Sequence, residues 1–151
     1  MITRMKIRRF TENDLQDLYE TISDPEVMRY IEPPYSMEQT REFLMQCGLS
    51  EHPRIYVAEA DGEYIGYVIN HDYDESSIEI GWLLKRSAWG KGYAKELTQM
   101  MIEMAKQERK SVVIECAPEQ EVTKHIAESF GFEFQGIVDG CCLYMLRCRN
   151  F

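Results

Sequence analysis

Hydrophobic and polar positions repeat with two different periods, and the change between them falls in the middle of the chain. From Ser77, the string S-I-E-I-G-W-L-L-K-R puts Ile78, Ile80, Trp82 and Leu84 on one face of a strand and Glu79, Gly81 and Leu83 on the other. From Tyr93, the apolar positions Leu97, Met100, Met101 and Met104 fall mostly three and four apart, one stripe of a helix over about Gly92–Arg109. Between them lies S-A-W-G-K-G-Y-A, with Gly90 and Gly92 on either side of Lys91. Strand, glycine turn, helix is an arrangement that can hold an anion. The first N–H groups of a helix lack internal partners, its dipole favours negative charge there, and glycines let the main chain come close to a phosphate. The alternative is a tight turn with Lys91 in solvent.

The same periods divide the rest of the chain. Met5 to Phe10 alternates as a first strand, and Thr11 caps a helix with Asp14 three residues on and Leu15, Leu18, Tyr19 and Ile22 buried. Asp24-Pro25 breaks that helix and starts a short turn through Val27, Met28 and Ile31. Glu32-Pro33-Pro34-Tyr35 is irregular, because both prolines lack a donor and restrict their neighbours. Ser36, with Gln39 in the capping-box position, opens a helix that buries Phe43 and Leu44.

Arg54 to Ala60, an Asp61-Gly62 hairpin turn and Glu63 to His71 follow as strands, and a loop with Asp72, Asp74 and Glu75 leads into the central strand. After the central helix, Ser111 to Cys116 is an apolar strand, parallel to the central one because a helix separates them. Gln120 to Phe130 is a helix with Val122, Ile126, Ala127 and Phe130 inward, and Gly131 stops it. Phe132 to Val138 and Cys141 to Arg147 form a last hairpin about Asp139-Gly140. Helices on a mixed, mostly antiparallel sheet are the expected architecture, in one domain over residues 1–151.

Composition narrows the function. A net charge of −9 argues against nucleic-acid and membrane-surface binding and suits a cationic partner, although an acidic surface also serves solubility. No run is long and apolar enough to span a bilayer, and the N-terminus lacks a signal-peptide core. Cys47, Cys116, Cys141, Cys142 and Cys148 are odd in number and contain no C-x-x-C, which fits reduced thiols in a cytoplasm. Cys116 reads as core, and neither Cys141 nor Cys142 has a sequence pattern supporting a nucleophile. His52, His71 and His125 are scattered, so no metal is expected.

The turn does not match a P-loop, and Lys95 stands where the dinucleotide fingerprint needs its third glycine. Ile80-Gly81-Trp82-Leu83-Leu84 followed by Trp89-Gly90-Lys91-Gly92-Tyr93-Ala94 resembles the acyl-CoA-binding motif of the GNAT superfamily of N-acetyltransferases. It is most similar to the subgroup that holds the ribosomal-protein N-terminal acetyltransferases. The family's turn reads [QR]-x-x-G-x-[GA], and Ser87 replaces its first residue. Gly131-Phe132 matches the G-F after the last helix, Ser129 departs from the basic residue before it, and Gln120-Glu121-Val122-Thr123 replaces the subgroup's N-x-x-S.

The resemblance implies an α/β (α+β) fold of the GNAT type, a twisted, mostly antiparallel sheet of about seven strands with about four helices. It implies acetyl-CoA as co-substrate, without a metal, and direct transfer of the acetyl group to a primary amine in a ternary complex. The amine is that of a small molecule or a protein N-terminus. Cofactor contacts fall at Trp82, Leu83, Leu84, Trp89, Gly90, Lys91, Gly92, Tyr93, Ala94 and Gln120. Arg86 and His125 stand beside this set, with solvated side chains as the alternative.

Glu79 is the candidate base, since its face is shared with the unobstructing Gly81, and Thr123 is the candidate acid at the family's serine position. A solvated carboxylate and a helix-start hydroxyl are the corresponding alternatives. The tyrosine acid used elsewhere in the family is ruled out by Ala127, and Tyr144 is a weak substitute that also reads as core. Tyr30, Glu32 and Tyr35 lie in the segment that walls the family's acceptor pocket. Two rivals stay open: a CoA-binding regulatory or interaction module without turnover, and transfer of a longer acyl group. An exposed last strand offers pairing between subunits as a homodimer.

Overall fold

The computed structural model describes residues 4–150. Seven strands form one mixed sheet in the order β1-β2-β3-β4-β5-β7-β6, and four α-helices accompany it. The strands are β1 Met5–Arg8, β2 Ile55–Ala60, β3 Glu63–Asp74, β4 Ser77–Leu84, β5 Ser111–Cys116, β6 Glu133–Val138 and β7 Cys141–Leu146. The helices are α1 Leu15–Ile22, α2 Met37–Phe43, α3 Tyr93–Gln107 and α4 Glu121–Ser129. The expected parallel pair is present: β4 pairs β5 over Ser77↔Ser111, Ile78↔Val112 and Glu79↔Val113.

The chain divides into two compact units. The first takes residues 4–69 and 82–97. Its core gathers Phe10, Leu18, Ile22, Val27, Met28, Leu44, Ile55, Val57, Tyr64, Tyr67 and Leu83. Two sequence devices set its entries. At Ser36, the side chain accepts from Gln39 N while Gln39 Oε1 accepts from Ser36 N, the expected capping box. At Asp61-Gly62 the turn takes positive φ at both residues, 52° and 83°, which suits the twist of the hairpin. A bulge then falls on β3, where Ala58↔Gly66 is followed by Glu59↔Tyr64.

The second unit takes residues 70–81 and 98–150. Val112, Val113, Ile114, Cys116, Ile126, Ala127, Phe132, Cys142, Leu143, Tyr144 and Leu146 are its buried residues from β5 onward. Here β7 lies between β5 and β6, antiparallel to both. The expectation that the last strand is the exposed one is therefore corrected. The edge is β6, with Phe134 and Ile137 at 55% and 65% exposure, because β7 follows the hairpin back into the sheet.

Three further expectations are corrected. In α3 the buried stripe is Leu97, Thr98, Met101, Ile102 and Ala105, while Met104 is exposed. The inner face is thus rotated from the one its methionines suggest. Val122 is 72% exposed rather than inward, since α4 buries Ile126 and Ala127. The loop expected over Asp72–Glu75 is mostly strand: β3 runs to Asp74, and only Glu75 and Ser76 turn.

Candidate active site

The turn after β4 is built by its own hydrogen bonds. Ala88 N donates to Lys85 O at 2.9 Å and Trp89 N to Arg86 O at 3.1 Å, a single 3-10 turn. The Trp89 indole Nε1–H reaches back to Leu84 O at 2.9 Å and ties the turn to the end of the strand. Lys85 N donates to Ile65 O at 2.9 Å, which holds the same end against β3. Gly90 and Gly92 then adopt φ of 74° and 81°, the left-handed region, and α3 starts at Tyr93. A Cβ built on either glycine would meet nothing within 4 Å. These glycines are thus demanded by backbone conformation, and they leave open space beside the first amides of α3. That fits a phosphate, which a helix N-terminus and unobstructed main chain can hold.

Arg86, which the sequence sets near a nucleotide, is instead engaged by Asp24: its Nε donates at 3.1 Å and its Nη2 makes a second bond. The Arg86 hydrogen bond holds the Asp24 carboxyl below its ordinary range. Lys91 is exposed, and Trp82, Tyr93 and Ala94 are half-buried. Leu83 and Leu84 are buried, so what they can offer a ligand is main chain.

Of the acceptor candidates, Glu32 and Tyr35 come together. The Tyr35 hydroxyl donates to Glu32 Oε2, and burial followed by Glu32 pushes this phenol up to about 12. Tyr35 packs edge-on against Phe43 at 5.7 Å, and Phe43 against Tyr67 at 6.0 Å. An open groove of about 520 Å³ runs here, lined by Glu32, Pro33, Pro34, Tyr35, Gln39, Glu42, Phe43 and Gln46. Tyr30 does not line it and carries the Arg29 guanidinium 5.2 Å above its ring. Glu42, from α2, is a groove carboxylate that the sequence reading missed; its place four residues before Gln46, whose amide donates to it, was the available signal.

On the second unit, Glu79 is half-buried on β4, and its Oε1 lies 3.7 Å from His71 Nε2 on β3. The sequence reading missed this neighbour. A loop over 72–75 would have carried His71 away, whereas the two-residue turn folds it back. Gln120 precedes α4, and its Oε1 accepts from Ala117 N at 2.8 Å, so this oxygen shapes the turn out of β5. Thr123 is half-buried in the first turn of α4, and His125 is exposed. Tyr144 is core, with its ring 5.5 Å from that of Phe134. Burial, then Glu115 and other neighbours, pushes the Cys141 thiol up, which leaves little thiolate for a covalent role. Among the described residues no cluster of His, Cys, Asp and Glu is placed to hold a metal ion.

Residues 4–133 match the family model of the acetyltransferase (GNAT) domain. The uncharacterized N-acetyltransferase p20 of Bacillus licheniformis is 31% identical over 147 residues, covering 89% of this chain and 82% of that protein. The uncharacterized N-acetyltransferase YnaD of Bacillus subtilis (strain 168) is 29% identical over 143 residues, covering 91% and 84%. The crystal structure of a GNAT-family acetyltransferase from Bacillus anthracis superposes with a TM-score of 0.86 at 25% identity, covering 97% of this chain and 96% of that one. A family match over most of the chain, a relative this close and a fold shared almost end to end make the chain a member of the GNAT family, acetyl-CoA-dependent N-acetyltransferases.

Proposed function

We propose that the chain, acting as one catalytic domain, moves an acetyl group from acetyl-CoA to a primary amine by direct attack in a ternary complex. The observation that carries this reading is the glycine turn: two left-handed glycines with open space beside them, at the start of a 15-residue helix. The main chain of Gly90, Lys91, Gly92, Tyr93 and Ala94 would take the pyrophosphate. The main chain of Trp82 and Leu83 would pair with the amide-bearing pantetheine arm, as a strand does with an extended chain. Leu84 O is engaged by the Trp89 indole, so Leu84 and Trp89 act by fixing the turn. Gln120, at the start of α4, is kept as a further proposed cofactor contact.

Glu79 is the proposed base. β4 runs unbroken from Ser77 to Leu84, and at ~3.3 Å per residue the span from Glu79 to the turn is ~20 Å, close to an extended pantetheine arm. Thr123 is the proposed donor to the departing sulfur. For the acceptor, Glu32 and Glu42 with the rings of Tyr35 and Phe43 suit a cationic amine on an apolar stem, and the net charge of −9 would steer a cation toward the protein. Tyr30, on the segment before Glu32, is kept as a further proposed acceptor contact although it does not line the groove. The subgroup resemblance of the central stretch keeps a protein N-terminus beside small amines as acceptor. The cytoplasm is the proposed location, and among the described residues no helix is long and apolar enough to cross a membrane.

Glu79→Gln tests the reading. It should lower kcat/KM for the amine by about a hundredfold or more while acetyl-CoA binding stays within about threefold. Acetyl-CoA binding with no turnover that depends on Glu79 would instead favour a CoA-binding module.

A further inference from the structure

His71 is an ionisable side chain that stands beside Glu79 and has no part in the proposed function. Its Nδ1–H donates to the Asp72 carbonyl at 3.0 Å. A carbonyl oxygen only accepts, so Nδ1 carries the hydrogen, and in the neutral ring Nε2 keeps its lone pair. It is this nitrogen that faces Glu79 Oε1 at 3.7 Å, and both side chains are mostly shielded, with 15% and 20% of their surface exposed. At 3.7 Å the two stand at ion-pair distance and beyond hydrogen-bond reach, so a proton taken by the carboxylate is shared with the ring only when the side chains close on each other.

The other ionisable groups around the pair are mostly acidic. Burial, then Glu115 of β5, Glu79, Asp74 and Asp139, pushes up the Tyr73 phenol on β3, which places these groups in one field. Cys141 of β7 shares it, raised by burial and by Glu115, Cys142, Asp139 and Glu79. The nearby cation, Lys110, is paired with Asp72 at 3.0 Å.

We propose that His71 and Glu79 act as one proton-accepting pair in acetyl transfer. This rests on the reading of Glu79 as the base. The acceptor ammonium loses one proton to the carboxylate, and the proton is held between Glu79 Oε1 and His71 Nε2. The freed amine lone pair forms the N–C bond to the thioester carbonyl carbon. The C–S bond breaks, its electron pair leaves on sulfur, and the second nitrogen proton passes to that thiolate. The pair returns its proton to water, so the net change is amide, free thiol and one proton.

The test compares His71→Gln, His71→Ala, Glu79→Gln and the His71→Gln/Glu79→Gln double variant, each checked for folding by circular dichroism. Glutamine keeps an amide nitrogen near the place of Nε2, so it can position Glu79 but cannot take a proton. Expected for His71→Gln is a fall of about tenfold or more in kcat/KM for the amine, with the acetyl-CoA KM unchanged. Its rate should also depend on pH differently from the wild type's, because one of the two proton acceptors is gone. The double variant should be no slower than Glu79→Gln alone, since the two act as a unit. Added imidazole should restore His71→Ala in a saturable way.

A wild-type rate and profile in His71→Gln, with Glu79→Gln inactive, would overturn the pair and leave the base intact. A His71→Gln loss that is equal at every pH would reduce His71 to positioning and also overturn it. Full activity in Glu79→Gln would instead remove the base reading on which the pair rests.

Discussion

Asp14 shows how one carboxylate can organise its surroundings. Arg8 donates to both of its oxygens, Nη2 to Oδ1 and Nη1 to Oδ2, each at 2.9 Å, and Thr11 N donates to Oδ2 at 2.8 Å. The same guanidinium reaches Glu59 Oε2 through Nε at 2.7 Å, so β1, β2 and the entry to α1 meet at one arginine. The Arg8 hydrogen bonds hold the Asp14 carboxyl below its ordinary range. A depressed folded value means that the native chain binds fewer protons than the unfolded one. The stabilisation is therefore present above the ordinary carboxylate range and is lost as pH falls through the folded value. Asp14→Asn should cost about 1.5–3 kcal/mol at neutral pH, from the lost charged hydrogen bonds. Urea titrations should show the gap to wild type closing in acid. A gap that stays constant with pH would contradict this role. Thr11 and Asp14 were legible as a helix start because their spacing is local. Arg8 and Glu59 were not, because they are 51 positions apart and meet only through the β1–β2 register.

At the scale of elements, the reach of β3 depends on a glycine that the hydrophobic pattern does not mark. A Cβ on Gly66 would lie 2.2 Å from Leu83 O and 2.7 Å from the Leu84 Cα, at a φ of 151°. The bulge on β3 and this close approach bring the strand against the end of β4, where Lys85 N bonds to Ile65 O. Gly66→Ala should cost at least about 2 kcal/mol, read as a lower urea midpoint, because a backbone oxygen cannot step aside as a flexible side chain can. An unchanged midpoint would mean that β3 does not need the approach. Period together with caps and turn residues located the seven strands and four α-helices of the described residues, since all of these signals are local. It misjudged the inner face of α3 and one position, Val122, of α4. Met104 and Val122 are apolar yet exposed; the inner side of α3 includes Thr98, Ile102 and Ala105, whereas α4 buries Ile126 and Ala127 as its pattern indicates. Small and polar residues can line a buried face when the packing is close, and a count of large apolar residues overlooks them.

Over the whole molecule, family membership and the sheet order agree with what the central strand, turn and helix suggested. The site was legible in proportion to how local it is. The glycine turn is a contiguous string. Glu79 stood out by sharing a strand face with Gly81. His71 did not, because its relation to Glu79 depends on a turn that was read as a loop. Glu42 did not, because the groove forms only when α2 packs beside the Pro33-Pro34 segment. The proposed cationic acceptor rests on the net charge of −9 and on Glu32 and Glu42 in the groove.

The most direct test of the account is calorimetric titration of acetyl-CoA into the wild type, Gly92→Asn and Gly92→Asp. Both side chains tolerate the left-handed conformation better than other residues do, and they differ chiefly in one negative charge. If the turn holds the pyrophosphate, Gly92→Asn should bind within about tenfold of the wild type. Gly92→Asp should lose about a further tenfold or more, the scale of 1.4 kcal/mol per decade. Equal binding by the two variants would place the phosphates away from this turn and contradict the account.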